Sequence, residues 1–198
     1  LVLFFHGGFS WLTGGFIGVS IFFVLSGYLI TNLLTAEHQS TGTVSLRAFW
    51  GRRFRRLAPA AMTVLLALLV IGAFWGITER SIGDIRAAAL NVANWWFIHS
   101  GHSYADITAA PSPVDHFWSL AIEEQFYVVY PAVIWACVRY GRRERRERRV
   151  VVAIASMAAV SLALQFTISD IDRIYRGTDT RAFELLAGAG LALLAPIN

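Results

Sequence analysis

The uncharged run GGFIGVSIFFVLSGYLITNLLTA, residues 14–36, decides the fold class. The hydrocarbon core of a bilayer is about 30 Å thick and takes roughly 20 apolar residues of helix to cross. These 23 residues contain no Asp, Glu, Arg or Lys. Outward from this run the same signature recurs. Residues 57–77 and 150–168 are also uncharged and long enough to span. Residues 116–138 are long enough but carry Glu123 and Glu124. Residues 181–197 are apolar after Glu184 and predict a further span running past the end of the sequence, while LVLFF (1–5) predicts the tail of a span that starts upstream. Residues 85–99 are too short and too polar to cross. The expected architecture is therefore all-α, a polytopic integral-membrane helical bundle forming the N-terminal part of a larger multi-span domain. Residues 1–198 are expected to be one partial domain, truncated at both ends.

Composition agrees with that reading. Hydrophobic residues make up 56% of the 198 against 15% charged, and mean hydropathy is +0.54, which excludes an ordinary water-soluble domain. All 17 basic residues are Arg, against 13 acidic ones. The arginines are bunched at the ends of apolar runs, so the basicity reads as membrane topology and not as nucleic-acid binding. Arg47 and Arg52–Arg56 on one side, and the run RYGRRERRERR (139–149) on the other, mark cytoplasmic segments; the second run reads as a solvated, charge-alternating loop. Residues 7–13, 100–115 and 169–180 are then outer loops, and 85–99 must dip in and return or lie at the interface. Trp95, Trp96 and Trp118 are expected at the membrane interfaces. Cys137 is the only cysteine, which excludes a disulfide framework and a Cys-based metal cluster. The histidines lack a zinc-binding spacing, so no metal is expected.

An ionisable group inside a span costs about 2.5–3.5 kcal/mol on insertion scales and is a functional candidate by default. Glu123 and Glu124 are two such groups side by side. On a 3.6-residue helix His116, Ser119, Glu123, Tyr127 and Tyr130 share a face, with Glu124 about 100° away. Two adjacent carboxylates in a low dielectric are not both ionised without help, so one is protonated or paired with Arg or His. His6, at the edge of the first apolar run, is a candidate general base on the same side of the membrane as the start of 116–138. In GRRFRRLAP (51–59), Arg52, Arg53, Arg55 and Arg56 form a candidate clamp for a phosphorylated ligand, with Pro59 tolerated if a helix starts just before it. Gly14 with Gly18, and Gly72 with Gly76, are small-xxx-small pairs expected to serve packing. Arg181 and Glu184, three apart at a span entrance, are placed to neutralise each other.

The His of LVLFFH, the block 14–31, RRFRRLAP (52–59), HFWSLAIEEQFYVVYP (116–131) and TRAFELLAGAGLA (180–192) together resemble the acyltransferase family 3 membrane proteins, in order and in spacing. The resemblance implies a multi-span helical domain that moves an acyl group, commonly acetyl, from acyl-CoA to a hydroxyl of a sugar or other cell-envelope acceptor. It implies His6 as the essential histidine, Glu123 and Glu124 as the paired carboxylates, and Arg52–Arg56 as the arginine motif near the donor. His116, Tyr127 and Arg181 are further candidates for substrate binding. Acyl-CoA enters as donor substrate, with no bound cofactor and no nucleic acid; the lipid bilayer and a hydroxylated envelope acceptor are the other expected partners. Two departures stand out. Ser20 replaces an Asp usual in the family, and an Arg that the family carries upstream of its His is missing. The expected location is a bacterial cell membrane, multi-pass, which also fits the Arg-for-Lys bias of a GC-rich genome.

Two other classes compete with an acyltransferase. A transporter or flippase of an envelope precursor is the main alternative, because buried carboxylates also serve proton-coupled transport. A non-catalytic membrane scaffold is the third; it requires function to survive loss of His6 and Glu123.

Overall fold

The computed structural model describes residues 15–76, 78–101, 112–140 and 143–197, and every regular element among them is helical. The long helices are α1 (Gly15–Thr41), α2 (Leu46–Trp75), α5 (Phe117–Arg139), α6 (Arg146–Thr167) and α8 (Thr178–Leu194). The short ones are α3 (Glu79–Ala89), α4 (Ala93–His99) and α7 (Ile171–Arg176), with a 3₁₀ turn at Arg143–Arg145. Three segments are long and apolar enough to cross a membrane by length and composition: Ile17–Thr41, Leu46–Trp75 and Arg146–Thr167. The fold is an all-α membrane bundle.

Local chemistry sets several boundaries. Ser45 starts α2 by accepting from Ala48 N, Thr78 does the same for α3 through Ser81 N, and Asp170 caps α7 through the N–H groups of Asp172 and Arg173. Each supplies an acceptor to a backbone donor that the first helical turn leaves unpaired. Gly76 ends α2 with φ of +90°. It is therefore a stop signal and not half of the packing pair expected with Gly72.

α2 begins at Leu46, well before the expected 57, so the RRFRR run is helix and not loop. Pro59 accordingly lies inside the helix rather than at its start. It has no N–H for the carbonyl of Arg55, a loss an exposed helix face tolerates.

The seam that organises the bundle is α1 against α8. A Cβ on Gly27 would lie 1.8 Å from Leu185 O, and one on Gly188 1.9 Å from Val24 O. Only hydrogen fits at either position, so the two backbones touch. Inside a bilayer this close van der Waals contact, more than the hydrophobic effect, drives helix association. Phe23, Ile30, Leu34, Leu185, Leu186 and Ala189 fill the seam at or near zero exposure, and α5 packs across it through Phe126, Tyr127 and Tyr130.

Residues 79–99 turn back on themselves as α3 and α4. Asn91, at φ of 55°, makes the reversal, and α4 docks against α5 and α7. This agrees with the expectation that the segment does not cross. Trp118 differs from expectation. It is 4% exposed, edge-on to Phe23 and 4.8 Å from the Tyr175 ring, and so is a core residue rather than an interfacial one.

Candidate functional site

The site begins with a proline. Pro131 lies inside α5 and has no N–H to offer the carbonyl four residues earlier, which is that of Tyr127. Tyr127 is buried, where a freed carbonyl needs another donor, and Trp50 Nε1 supplies it at 2.9 Å. Trp50 therefore pins the N-terminal part of α2 to the middle of α5. Arg53, one turn further along the same helix face, then lies with its guanidinium carbon 3.9 Å from the centre of the Tyr127 ring.

One turn away on α5 is Glu123, 2% exposed. Ser26 Oγ of α1 donates to its Oε1 in a short hydrogen bond, and the Tyr127 side chain faces both Ser26 and Glu123. Arg53 is near enough to both Glu123 and Glu124 to interact with each charge. Glu124 is half-buried, and its Oε1 is buried without a hydrogen-bond partner, as is Arg53 Nε. Below this cluster Thr31 Oγ1 donates to Gly27 O at 2.8 Å, leaving it to accept from Tyr130 Oη at 2.7 Å. Two carboxylates and one guanidinium thus come together, with Glu123 held by the Ser26 hydroxyl of α1. Such a set can hold a proton and present a donor to an oxygen that gains charge.

A second polar cluster sits further toward the start of α1. Arg181 and Glu184 pair at 3.1 Å, as their spacing predicts. Ser20 Oγ donates to Glu184 Oε1 at 3.1 Å and accepts from Arg181 at 3.3 Å. The Arg181 guanidinium lies between the rings of Phe23 and Tyr175, at 5.6 and 5.3 Å. Among the described residues the polar partners of Arg181 and Glu184 are each other and Ser20, and neither bonds to Ser26 or Glu123, so the pair forms a polar cluster of its own.

Gln125, which sequence reasoning did not single out, ties the surroundings together. Its Nε2 donates to Asn91 O at 2.8 Å and Asn94 Oδ1 at 2.9 Å, and its Oε1 accepts from Trp95 Nε1 at 3.0 Å and Thr178 Oγ1 at 2.5 Å. One amide thereby joins α4, α5 and the start of α8, with every donor and acceptor lobe in use. Its position next to Glu123 and Glu124 was the available signal. Near it, Arg173 donates to both oxygens of Asp179 at 2.6 Å, and this bonding holds the Asp179 carboxyl below its ordinary range.

The other candidates among the described residues lie apart. Arg52 is exposed and pairs with Glu37 at 3.1 Å; Arg55 and Arg56 are exposed. His116 is exposed at the start of α5, its ring 4.8 Å from that of Phe117. His6 lies outside the described residues. At the arginine-rich end of the bundle, Arg146 donates to His38 Nε2 at 3.1 Å, a link between α1 and α6 that no local pattern predicts.

Residues 1–196 match the family described as "Acyltransferase domain", acyltransferase family 3. The chain belongs to that family. Among similar proteins, the peptidoglycan O-acetyltransferase OatA of Listeria monocytogenes (strain EGD-e) is 42% identical over 200 residues, covering 100% of this chain and 32% of OatA. YrhL of Bacillus subtilis (strain 168), whose name gives the same activity provisionally, is 40% identical over 204 residues, 100% of this chain and 32% of YrhL. A provisionally named O-acetyltransferase of Staphylococcus aureus (strain COL) is 39% identical over 204 residues, 98% of this chain and 33% of its own length. This acyltransferase family 3 chain spans about a third of the length of these relatives. No solved structure matches it. The relatives named here are transferases, which leaves the transport reading without support.

Proposed function

We propose that the protein carrying this chain is a membrane O-acyltransferase that moves an acyl group, acetyl in the simplest case, from an acyl-CoA to a hydroxyl of a cell-envelope carbohydrate. The observation that carries this reading is the buried meeting of Arg53, Glu123, Glu124 and Tyr127, all of them within blocks that resemble the family's motifs. Residues 1–198 form part of the family's transmembrane domain, and the location is a bacterial plasma membrane crossed several times, with the arginine-rich end in the cytoplasm.

In this mechanism His6 takes the proton of the acceptor hydroxyl as its oxygen attacks the thioester carbonyl. Glu123 or Glu124 orients the imidazole and balances its charge. The tetrahedral intermediate collapses with cleavage of the carbon–sulfur bond, and the proton held by His6 passes to the CoA sulfur. Arg52, Arg55 and Arg56 are placed for the phosphates of the donor, where bidentate guanidinium is well suited.

The test uses the full-length protein in inverted membrane vesicles supplied with labelled acetyl-CoA. Label should appear on envelope carbohydrate and collapse in His6→Ala at equal protein level. Transfer from no acyl-CoA, or transfer unchanged in His6→Ala, contradicts the reading. The assigned sidedness predicts that a Cys placed at position 108 reacts with an impermeant thiol reagent from outside intact cells; labelling from the cytoplasmic side alone would reverse it.

A further inference from the structure

We propose that Arg53 is a catalytic residue that stabilises the oxygen of the reacting carbonyl, apart from the phosphate-binding arginines beside it in sequence. This inference rests on the acyl-transfer reading above. Of the four arginines in RRFRR, Arg53 alone turns into the bundle. Arg52 is exposed and engaged by Glu37, and Arg55 and Arg56 are exposed. The Arg53 guanidinium is covered on one face by the Tyr127 ring at 3.9 Å. Its backbone is held in place one turn earlier by the 2.9 Å bond from Trp50 Nε1 to Tyr127 O. Swinging out to meet a phosphate at the surface would forfeit the ring contact.

What Arg53 retains is a buried Nε–H with no acceptor, beside the two carboxylates. A carbonyl oxygen reaching this buried Nε–H would find a fixed, charged donor, the kind of preorganised group that stabilises developing negative charge. As the acceptor oxygen bonds to the carbonyl carbon, the carbonyl electron pair moves onto its oxygen, where Arg53 donates a hydrogen bond. When the carbon–sulfur bond breaks, that pair returns to form the ester and the sulfur leaves with the hydroxyl proton. Arg53 gains and loses no proton in either step. Glu123 and Glu124 hold its charge in place, and the Ser26 bond fixes Glu123.

The test separates kcat from KM. In vesicles containing the full-length protein, acetyl transfer is measured across a range of acetyl-CoA concentrations, and binding of CoA itself is measured on the purified protein. Arg53→Gln is expected to lower kcat about 100-fold or more, the loss typical of a removed oxyanion donor. Its affinity for CoA should stay within about threefold, which also shows that the variant is folded. Arg55→Gln/Arg56→Gln is expected to raise KM and weaken CoA binding at least about tenfold, with kcat changed much less. Arg53→Lys, which keeps the charge but not the fixed guanidinium, should follow Arg53→Gln in kcat. The inference is overturned if Arg53→Gln and Arg53→Lys weaken CoA binding as the double variant does, or leave kcat unchanged. Failure of the wild type to transfer from acetyl-CoA or a longer acyl-CoA overturns instead the acyl-transfer reading on which it stands.

Discussion

Trp50 Nε1 donates to the backbone oxygen of Tyr127 at 2.9 Å, an acceptor that is free because Pro131, four residues on, has no N–H. A helix-breaking residue in α5 thus creates the contact that positions α2, and with it Arg53. The hydrogen bond is structural, yet its consequence falls on the candidate site. Trp50→Phe keeps an aromatic side chain, smaller than the indole, and removes the donor. It is expected to lower kcat for acetyl transfer by about tenfold while protein level and CoA affinity hold, a partial version of the Arg53 loss. Kinetics on membranes with matched protein content check this; an unchanged kcat would separate the Trp50 bond from the site.

Ser26 supports Glu123 from the facing helix. Ser26→Ala leaves a buried carboxylate oxygen without that donor, a change that costs on the order of 1–3 kcal/mol. A lowered melting temperature in detergent is the expected result. Ser40→Ala, on the exposed end of the same helix where the hydroxyl bonds only to backbone carbonyls, should melt close to wild type.

The two glycines at the α1–α8 seam make opposite predictions from a third nearby. Gly27→Ala and Gly188→Ala would drive a Cβ to 1.8 and 1.9 Å from backbone oxygens, forcing the helices apart and lowering folded yield severely. Gly190, on the same helix as Gly188, has nothing within 4 Å of its would-be Cβ. Gly190→Ala should be neutral or stabilising by up to about 1 kcal/mol through helix propensity. Thermal melts in detergent of the three variants decide the matter, and equal losses at Gly188 and Gly190 would deny the close approach.

The Arg173–Asp179 pair gives a pH dependence of definite sign. Hydrogen bonding from Arg173 holds the Asp179 carboxyl below its usual value. Its stabilising contribution is therefore present above the unfolded pKa of about 4 and is lost as pH falls through the lower folded value. Wild type should melt above Asp179→Asn at about pH 6, and the gap should close as the pH drops below about 4. The pair is partly exposed, so the gap should be small and should narrow with added salt. A gap that widens toward acid would contradict the pairing.

Much of the fold was legible because spans announce themselves as uncharged runs: 14–36 and 150–168 lie within or close to α1 and α6. What extended each helix beyond its apolar run was different chemistry. α2 starts at Leu46 because Ser45 caps it and arginines are good helix formers, so hydropathy alone misplaced its beginning. In the site, Arg181 and Glu184 were readable as a local pair, since three-residue spacing decides such contacts. Arg53 was not distinguishable from Arg52, Arg55 and Arg56, because which of them turns inward depends on a hydrogen bond to another helix. The glycines that matter, Gly27 and Gly188, each face the backbone of the other helix across the α1–α8 seam, whereas spacing along the sequence pairs only residues within one run. Gln125 was passed over because its role is built from partners on α4 and α8 far away in sequence.

The carboxylates grouped with Arg53, and not buried carboxylates in general, are expected to serve the reaction. The most direct measurement compares Glu123→Gln, Glu124→Gln and Glu184→Gln in the full-length protein, scoring labelled acetyl transferred from acetyl-CoA in inverted vesicles at equal protein level. The expected result is a loss of about 100-fold or more in Glu123→Gln or Glu124→Gln, with Glu184→Gln, whose carboxylate is engaged by Arg181 and Ser20, retaining most of the activity. Near-wild-type transfer in both Glu123→Gln and Glu124→Gln, or an equal collapse in all three, would contradict it.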